Sequence, residues 1–167
     1  QIGKVKYDFI ILDAFKSGSV PFHLKTLQFY EEINSILAPG GIVASNLYGQ
    51  SNALKPNDLK TFSEIFKQIY LFEDPDRIST LLFATQSDKK VLENEFKARS
   101  KKLMEMHSFS TSLEAIAEMF VPNETLEKLA FIFKDNFEKN QLKEAAKKNN
   151  LDNGEPRPYA IVNQNPD

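Results

Sequence analysis

The sequence predicts an α/β fold in which buried parallel strands are joined by helices and followed by a helical carboxyl-terminal region. Three observations predict it. Two short runs, Phe9-Ile10-Ile11-Leu12 and Ile42-Val43-Ala44-Ser45-Asn46-Leu47, read as strands buried on both faces, the pattern of a parallel sheet. Between them Leu27, Tyr30, Ile33 and Leu37 recur at three- and four-residue spacing, which is the stripe of an amphipathic helix. Beyond Ser87 only helical periodicity remains.

The elements follow in order. The first strand lies between Tyr7-Asp8 and Asp13, and a loop rich in small residues, Lys16-Ser17-Gly18-Ser19, carries the chain to Pro21. A helix is expected from about 23 to 37. Pro39-Gly40-Gly41 stops it, because Pro cannot continue a helix and Gly tolerates the left-handed turn. The second strand is expected at 42–47. A second helix, about 57–70, repeats the stripe through Leu59, Phe62, Phe66 and Ile69. Strand, helix, strand, helix implies right-handed parallel connections. Strands near 69–73 and 78–85, joined by the polar turn Glu73-Asp74-Pro75-Asp76, read as an antiparallel hairpin at one sheet edge. Helices are then expected over about 88–106, 112–121 and 123–137, the last capped by Asn123. Residues 138–153, mostly Lys, Asn, Glu and Ala, read as a solvated helix that frays, and Pro156, Pro158 and Pro166 make the end extended. Two units are expected, an α/β unit over 1–87 and a helical extension with an extended polar tail over 88–167.

Composition narrows the function classes. The chain has 167 residues, enough for one core, with 41% hydrophobic and 26% charged residues, the balance of a globular chain. With 21 basic and 23 acidic residues the net charge is −2, so no global field draws nucleic acid or anionic lipid. The absence of Cys removes disulfides and thiol chemistry and fits a cytoplasmic protein. No apolar stretch approaches the roughly 20 residues of a membrane span, so no membrane partner is expected. The first strand arrives almost at once, and the chain is read as a piece of a longer protein. Lys16 to Ser19 lack the spacing of a phosphate loop. His23 and His107 have no acidic partner at ligand spacing, so no metal site is expected.

The string Tyr7-Asp8-Phe9-Ile10-Ile11-Leu12-Asp13-Ala14-Phe15, then Ser19-Val20-Pro21-Phe22-His23-Leu24-Lys25-Thr26, then Leu37-Ala38-Pro39-Gly40-Gly41 and Asn46, resembles the second half of the spermidine synthase-like family. Those proteins share the fold of class I S-adenosylmethionine-dependent methyltransferases. The resemblance covers about residues 5–50 and extends loosely to Leu82-Phe83-Ala84-Thr85. It implies a Rossmann-like, methyltransferase-type sheet, here its second half, with parallel strands plus an antiparallel edge hairpin. It also implies a transferase acting on a small amine or other nucleophile, with S-adenosylmethionine or its decarboxylated form as cofactor. The Gly-rich turn and ribose-binding acid that hold the cofactor belong to the first half, so this chain alone is expected to be inactive. A half-sheet also leaves an open edge, which implies a homo-oligomer or association with the missing half.

Asp13 is the expected catalytic residue. It stands at the carboxyl end of a buried strand, where open α/β sheets place their ligands, and a carboxylate there suits an amine that must lose a proton to attack. Lys16, Ser19, His23, Asn46 and Tyr48 are expected to line the substrate side. In polyamine synthases of the family a second acidic residue follows this strand; here that position falls on Lys16. A cation there repels a cationic amine by about 1 kcal/mol at about 4 Å in bulk water and by more in a dry pocket. Three functions stay open: aminopropyl transfer, methyl transfer to a less cationic substrate, and a non-catalytic interaction or oligomerisation module.

Overall fold

The computed structural model describes residues 5–14, 20–48, 55–75, 79–122 and 130–135. Strand β1 (Tyr7–Leu12) leads through a 3-10 turn at Phe22–Leu24 into helix α1 (Leu27–Ile36). Strand β2 (Leu37–Tyr48), helix α2 (Lys55–Ile65) and the strands β3 (Gln68–Glu73) and β4 (Ser79–Thr85) follow. Helices α3 (Glu93–Met106) and α4 (Leu113–Glu118) and the short strand β5 (Phe120–Val121) complete the described elements.

All five strands form one sheet in the order β1-β2-β4-β3-β5. β1 and β2 are parallel, with Phe9 opposite Ile42 and Leu12 opposite Ser45, as expected for two runs joined by a helix. β4 lies antiparallel to both β2 and β3, so the hairpin is present, but its second strand sits inward and its first lies outside it. β5 pairs antiparallel to β3 through Leu71–Val121 and Phe72–Phe120.

Several boundaries differ from expectation, each for a physical reason. α1 begins later than residue 23 because the Thr26 side chain accepts a hydrogen bond from the Phe29 N–H at 3.3 Å and caps the helix there. Pro39-Gly40-Gly41 lies within β2 rather than before it. The ladder partner moves from Leu37 to Ile42 while β1 advances only from Tyr7 to Phe9, so the extra residues bulge out. Gly40 takes φ 78°, a left-handed conformation that glycine adopts without strain. Ile69 belongs to β3, not to α2. The expected helix at 112–121 ends early, and Phe120 and Val121 join the sheet instead. Of the expected helix at 123–137 only 130–135 are described, and they are not helical.

One face of the sheet is covered by α1 and α2. Val43, Leu47, Leu71, Leu82 and Ala84 pack there against Tyr30, Ile33, Phe62 and Phe66, with Ile10 and Leu12 alongside. Tyr30 and Phe62 stack with ring centroids 4.0 Å apart. Among the described residues the other face is covered only at one end. Phe96 of α3 meets Tyr70, Phe72 and Phe120 at 5.3, 5.4 and 5.2 Å, and the Val91 N–H donates to the Tyr70 hydroxyl at 2.9 Å. At the β1 end, Phe9 is 51% and Ile11 67% exposed, with Ile42 and Leu81 beside them at 40% and 43%. No helix among the described residues is long and apolar enough to cross a membrane.

Burial, with a smaller contribution from the nearby Asp58 charge, holds the Tyr30 phenol well above its ordinary pKa. An unfolded chain ionises its tyrosines near pH 10, whereas folded Tyr30 stays protonated. Above that pH the folded state therefore binds the extra proton, and stability falls as pH rises. In urea titrations between pH 8 and 11, Tyr30→Phe is expected to flatten this decline. An unchanged slope would show that Tyr30 does not set it.

Candidate functional site

The parallel pairing of β1 and β2 brings their carboxyl ends side by side. Leu12 is the last residue of β1 and faces Ser45. The next residues are Asp13, just past the end of β1, and Asn46, which carries β2 on towards Tyr48. Strand alternation places Asn46 on the sheet face of Ile42 and Ala44, opposite the face packed on α1 and α2. Leu81 is its partner on β4.

Asp13 is exposed, while Asn46 is partly buried. The Asn46 Oδ1 is itself buried and accepts no hydrogen bond from the described residues. An unpaired buried amide oxygen costs about 1–3 kcal/mol, so such an atom marks a place where a donor is wanted. An exposed carboxylate directly after a strand's carboxyl end suits a cationic or N–H-bearing group.

His23 is exposed on the 3-10 turn. α1 runs back from this turn towards the amino end of β2, so the turn lies at the same end of the sheet as Asp13 and Asn46. Tyr48 closes β2, and the placement of its side chain lies outside what is described. Lys16 and Ser19 fall outside the described residues.

The neighbours of His23 have structural work. Pro21 opens the turn, and its carbonyl accepts from the Leu24 N–H at 2.9 Å. Lys25 pairs with Asp58 on α2 at 2.9 Å, their side chains 13% and 1% exposed. Thr26 is fully buried as the cap of α1. Sequence reasoning missed this pair. The available signal was Asp58 itself, a charged residue four positions before Phe62 and on the same apolar stripe.

No protein-family model matches the chain. A polyamine aminopropyltransferase of Vibrio vulnificus is 36% identical over 70 residues, which is 42% of this chain and 23% of the relative. Among solved structures, a probable spermidine synthase from Corynebacterium glutamicum superposes with a TM-score of 0.57 at 18% identity, covering 83% of this chain and 52% of that one. Human methyltransferase-like protein 13, in complex with SAH, superposes at 0.50 with 21% identity, covering 75% of this chain and 54% of that one. Spermidine synthase from Thermotoga maritima superposes at 0.50 with 18% identity, covering 73% of this chain and 44% of its own. The chain thus spans about a quarter of the curated relative and about half of these solved chains. In sequence over 70 residues, and in fold over most of its length, it is similar to the spermidine synthase-like proteins, on a methyltransferase-type α/β sheet.

Proposed function

We propose that this chain is part of a spermidine synthase-like transferase that moves an aminopropyl group from decarboxylated S-adenosylmethionine to an amine. The observation that carries the reading is the place of Asp13, directly after the carboxyl end of β1 where it runs parallel to β2, with Asn46 just past the last paired residues on β2. The likeness to a polyamine aminopropyltransferase supports it.

The Asp13 carboxylate is exposed and fits a cationic ligand. When bound, the cofactor supplies a carbon activated by its bond to a sulfonium. Asp13 would hold the incoming amine and take the proton that its nitrogen gives up on forming the new N–C bond, while the C–S electron pair would stay with the cofactor's sulfur. Asn46 would orient the amine by accepting a hydrogen bond from one of its N–H groups. His23, Tyr48 and Ser19 complete the substrate side of this reading.

Methyl transfer from S-adenosylmethionine is the second reading, and Lys16 favours it. A lysine three residues after Asp13 disfavours a di-cationic amine and tolerates a less cationic nucleophile. Kinetics of the full-length protein separate the two. With decarboxylated cofactor and putrescine, Asp13→Asn is expected to lower kcat/KM by about 100-fold or more, and Lys16→Asp to raise it by about tenfold. Turnover insensitive to Asp13→Asn would remove the carboxylate from the mechanism. Methylation of an amine acceptor with S-adenosylmethionine, and no transfer with the decarboxylated cofactor, would establish the methyltransferase reading.

The open end of the sheet bears on partners. β1 pairs only with β2 among the described strands, and Phe9 and Ile11 stand exposed beside Ile42. Association through this edge, with the remainder of the fold or with a second copy, is part of the proposal. In sedimentation of the 167-residue chain at high micromolar concentration, self-association is expected, and Ile11→Glu should abolish it while leaving the circular dichroism unchanged. A monomer for the unaltered chain would rule out pairing with a second copy.

A further inference from the structure

Residues 130–135 lie against α1 and α2 without helical hydrogen bonds of their own, and side chains and a helix end meet their backbone groups instead. The Ala130 carbonyl accepts from Lys60 Nζ at 2.6 Å and the Phe131 carbonyl from Asn57 Nδ2 at 3.0 Å. The Phe133 N–H donates to Thr61 Oγ1 at 3.1 Å, and its carbonyl accepts from the Leu27 N–H at 2.8 Å. The Asp135 N–H donates to Gln28 Oε1 at 3.2 Å. Five contacts over six residues make a built seat rather than incidental cover, and Thr61 is itself fully buried. Leu27 opens α1, where helical N–H groups have no partner within the helix, so the Phe133 carbonyl also caps α1.

The Phe133 side chain reaches the turn that precedes α1. It is fully buried, and its ring meets Phe22 edge-on with centroids 5.5 Å apart. The Lys25 ammonium lies 5.4 Å from the ring centroid while paired with Asp58. A cation over an aromatic face is attracted to it, and the ring also keeps water from the ion pair. Phe22 and Lys25 flank His23. The two residues that fix this turn from either side of His23 therefore both rest on Phe133.

We propose that residues 130–135 are a positioning strap for the turn 21–25, with Phe133 as the positioning residue that sets where His23 stands at the carboxyl end of the sheet. That His23 borders a ligand rests on the transferase reading above; the dependence of the turn on the strap does not. A carboxyl-terminal segment far from Asp13 in sequence thereby helps shape the site. A partner or modification that unseated the strap would loosen the turn without touching β1 or β2.

Amide hydrogen exchange on the 167-residue chain tests this without turnover, so it stands or falls separately from the proposed reaction. Thr61→Val removes the acceptor of the Phe133 N–H at nearly constant volume; Phe133→Ala removes the ring. Both should speed exchange at Phe133, Leu24 and Lys25 by about tenfold or more, with Val43 and Leu82 in the sheet staying within about twofold. The last two turn amides are informative because they are hydrogen-bonded to Pro21 and Phe22 and not to the strap. If Phe133→Ala fails to fold, Thr61→Val decides alone. Release of the Phe133 amide with Leu24 and Lys25 unchanged would overturn the proposal. So would equal acceleration at Val43 and Leu82, which would make Phe133 an ordinary core residue.

Discussion

The parallel ladder between β1 and β2 is the constraint on which the rest depends. Parallel neighbours cannot be joined by a tight turn, so the chain must cross one face of the sheet, and α1 is that crossing. The crossing buries Ile10, Val43 and Leu47 under Tyr30 and Ile33. It also returns the chain to the amino end of the sheet, so that β2 runs beside β1 with Leu12 opposite Ser45. Asp13 and Asn46 come to the same end of the sheet for this reason, although thirty-odd residues separate them in sequence. The same ladder requires apolar side chains on both faces of β1, which accounts for Phe9 and Ile11 standing exposed where no described element covers them.

Around this ladder the segment 21–26 divides its work between folding and chemistry. Phe22 packs on Phe133, Lys25 pairs with the buried Asp58, and Thr26 caps α1. Only His23 is exposed. A buried ion pair contributes little net stability relative to apolar packing, but removing one partner leaves a buried charge at a cost of about 3–5 kcal/mol. The Lys25–Asp58 pair therefore works best as a register pin, holding the turn to α2 in one arrangement. A string that reads as a functional signature is in large part the mounting of a single side chain.

Much of this was legible in the sequence because local pattern and final structure agree. The unbroken run 9–12 is a strand, the stripe through Leu27, Tyr30 and Ile33 is a helix, and the connection between them forces β1 and β2 parallel. Asp13 could be placed at a strand end on that basis, whereas β2 runs on past Asn46 to Tyr48. What escaped was tertiary. Phe120 and Val121 make a strand of two residues, too short to show any period, held by pairing with Leu71 and Phe72. Ala130 and Phe133 keep a helical spacing, yet their backbone groups are met by Lys60, Thr61 and Leu27 from distant elements. Propensity is a weak prior where so many partners lie elsewhere in the chain. The bulge at Pro39-Gly40-Gly41 was half legible: the turn residues were plain, but not that the ladder continues past them.

The account holds that Asp13 and Asn46 act on one ligand, the carboxylate taking a proton and the amide orienting its donor. A double-mutant cycle in the full-length protein, using Asp13→Asn, Asn46→Ala and both together, tests that most directly. Groups that share a ligand should be coupled, with the effects on kcat/KM departing from additivity by about 1 kcal/mol or more. Additivity within about 0.3 kcal/mol would mean that the two side chains, though at the same end of the sheet, serve no common ligand.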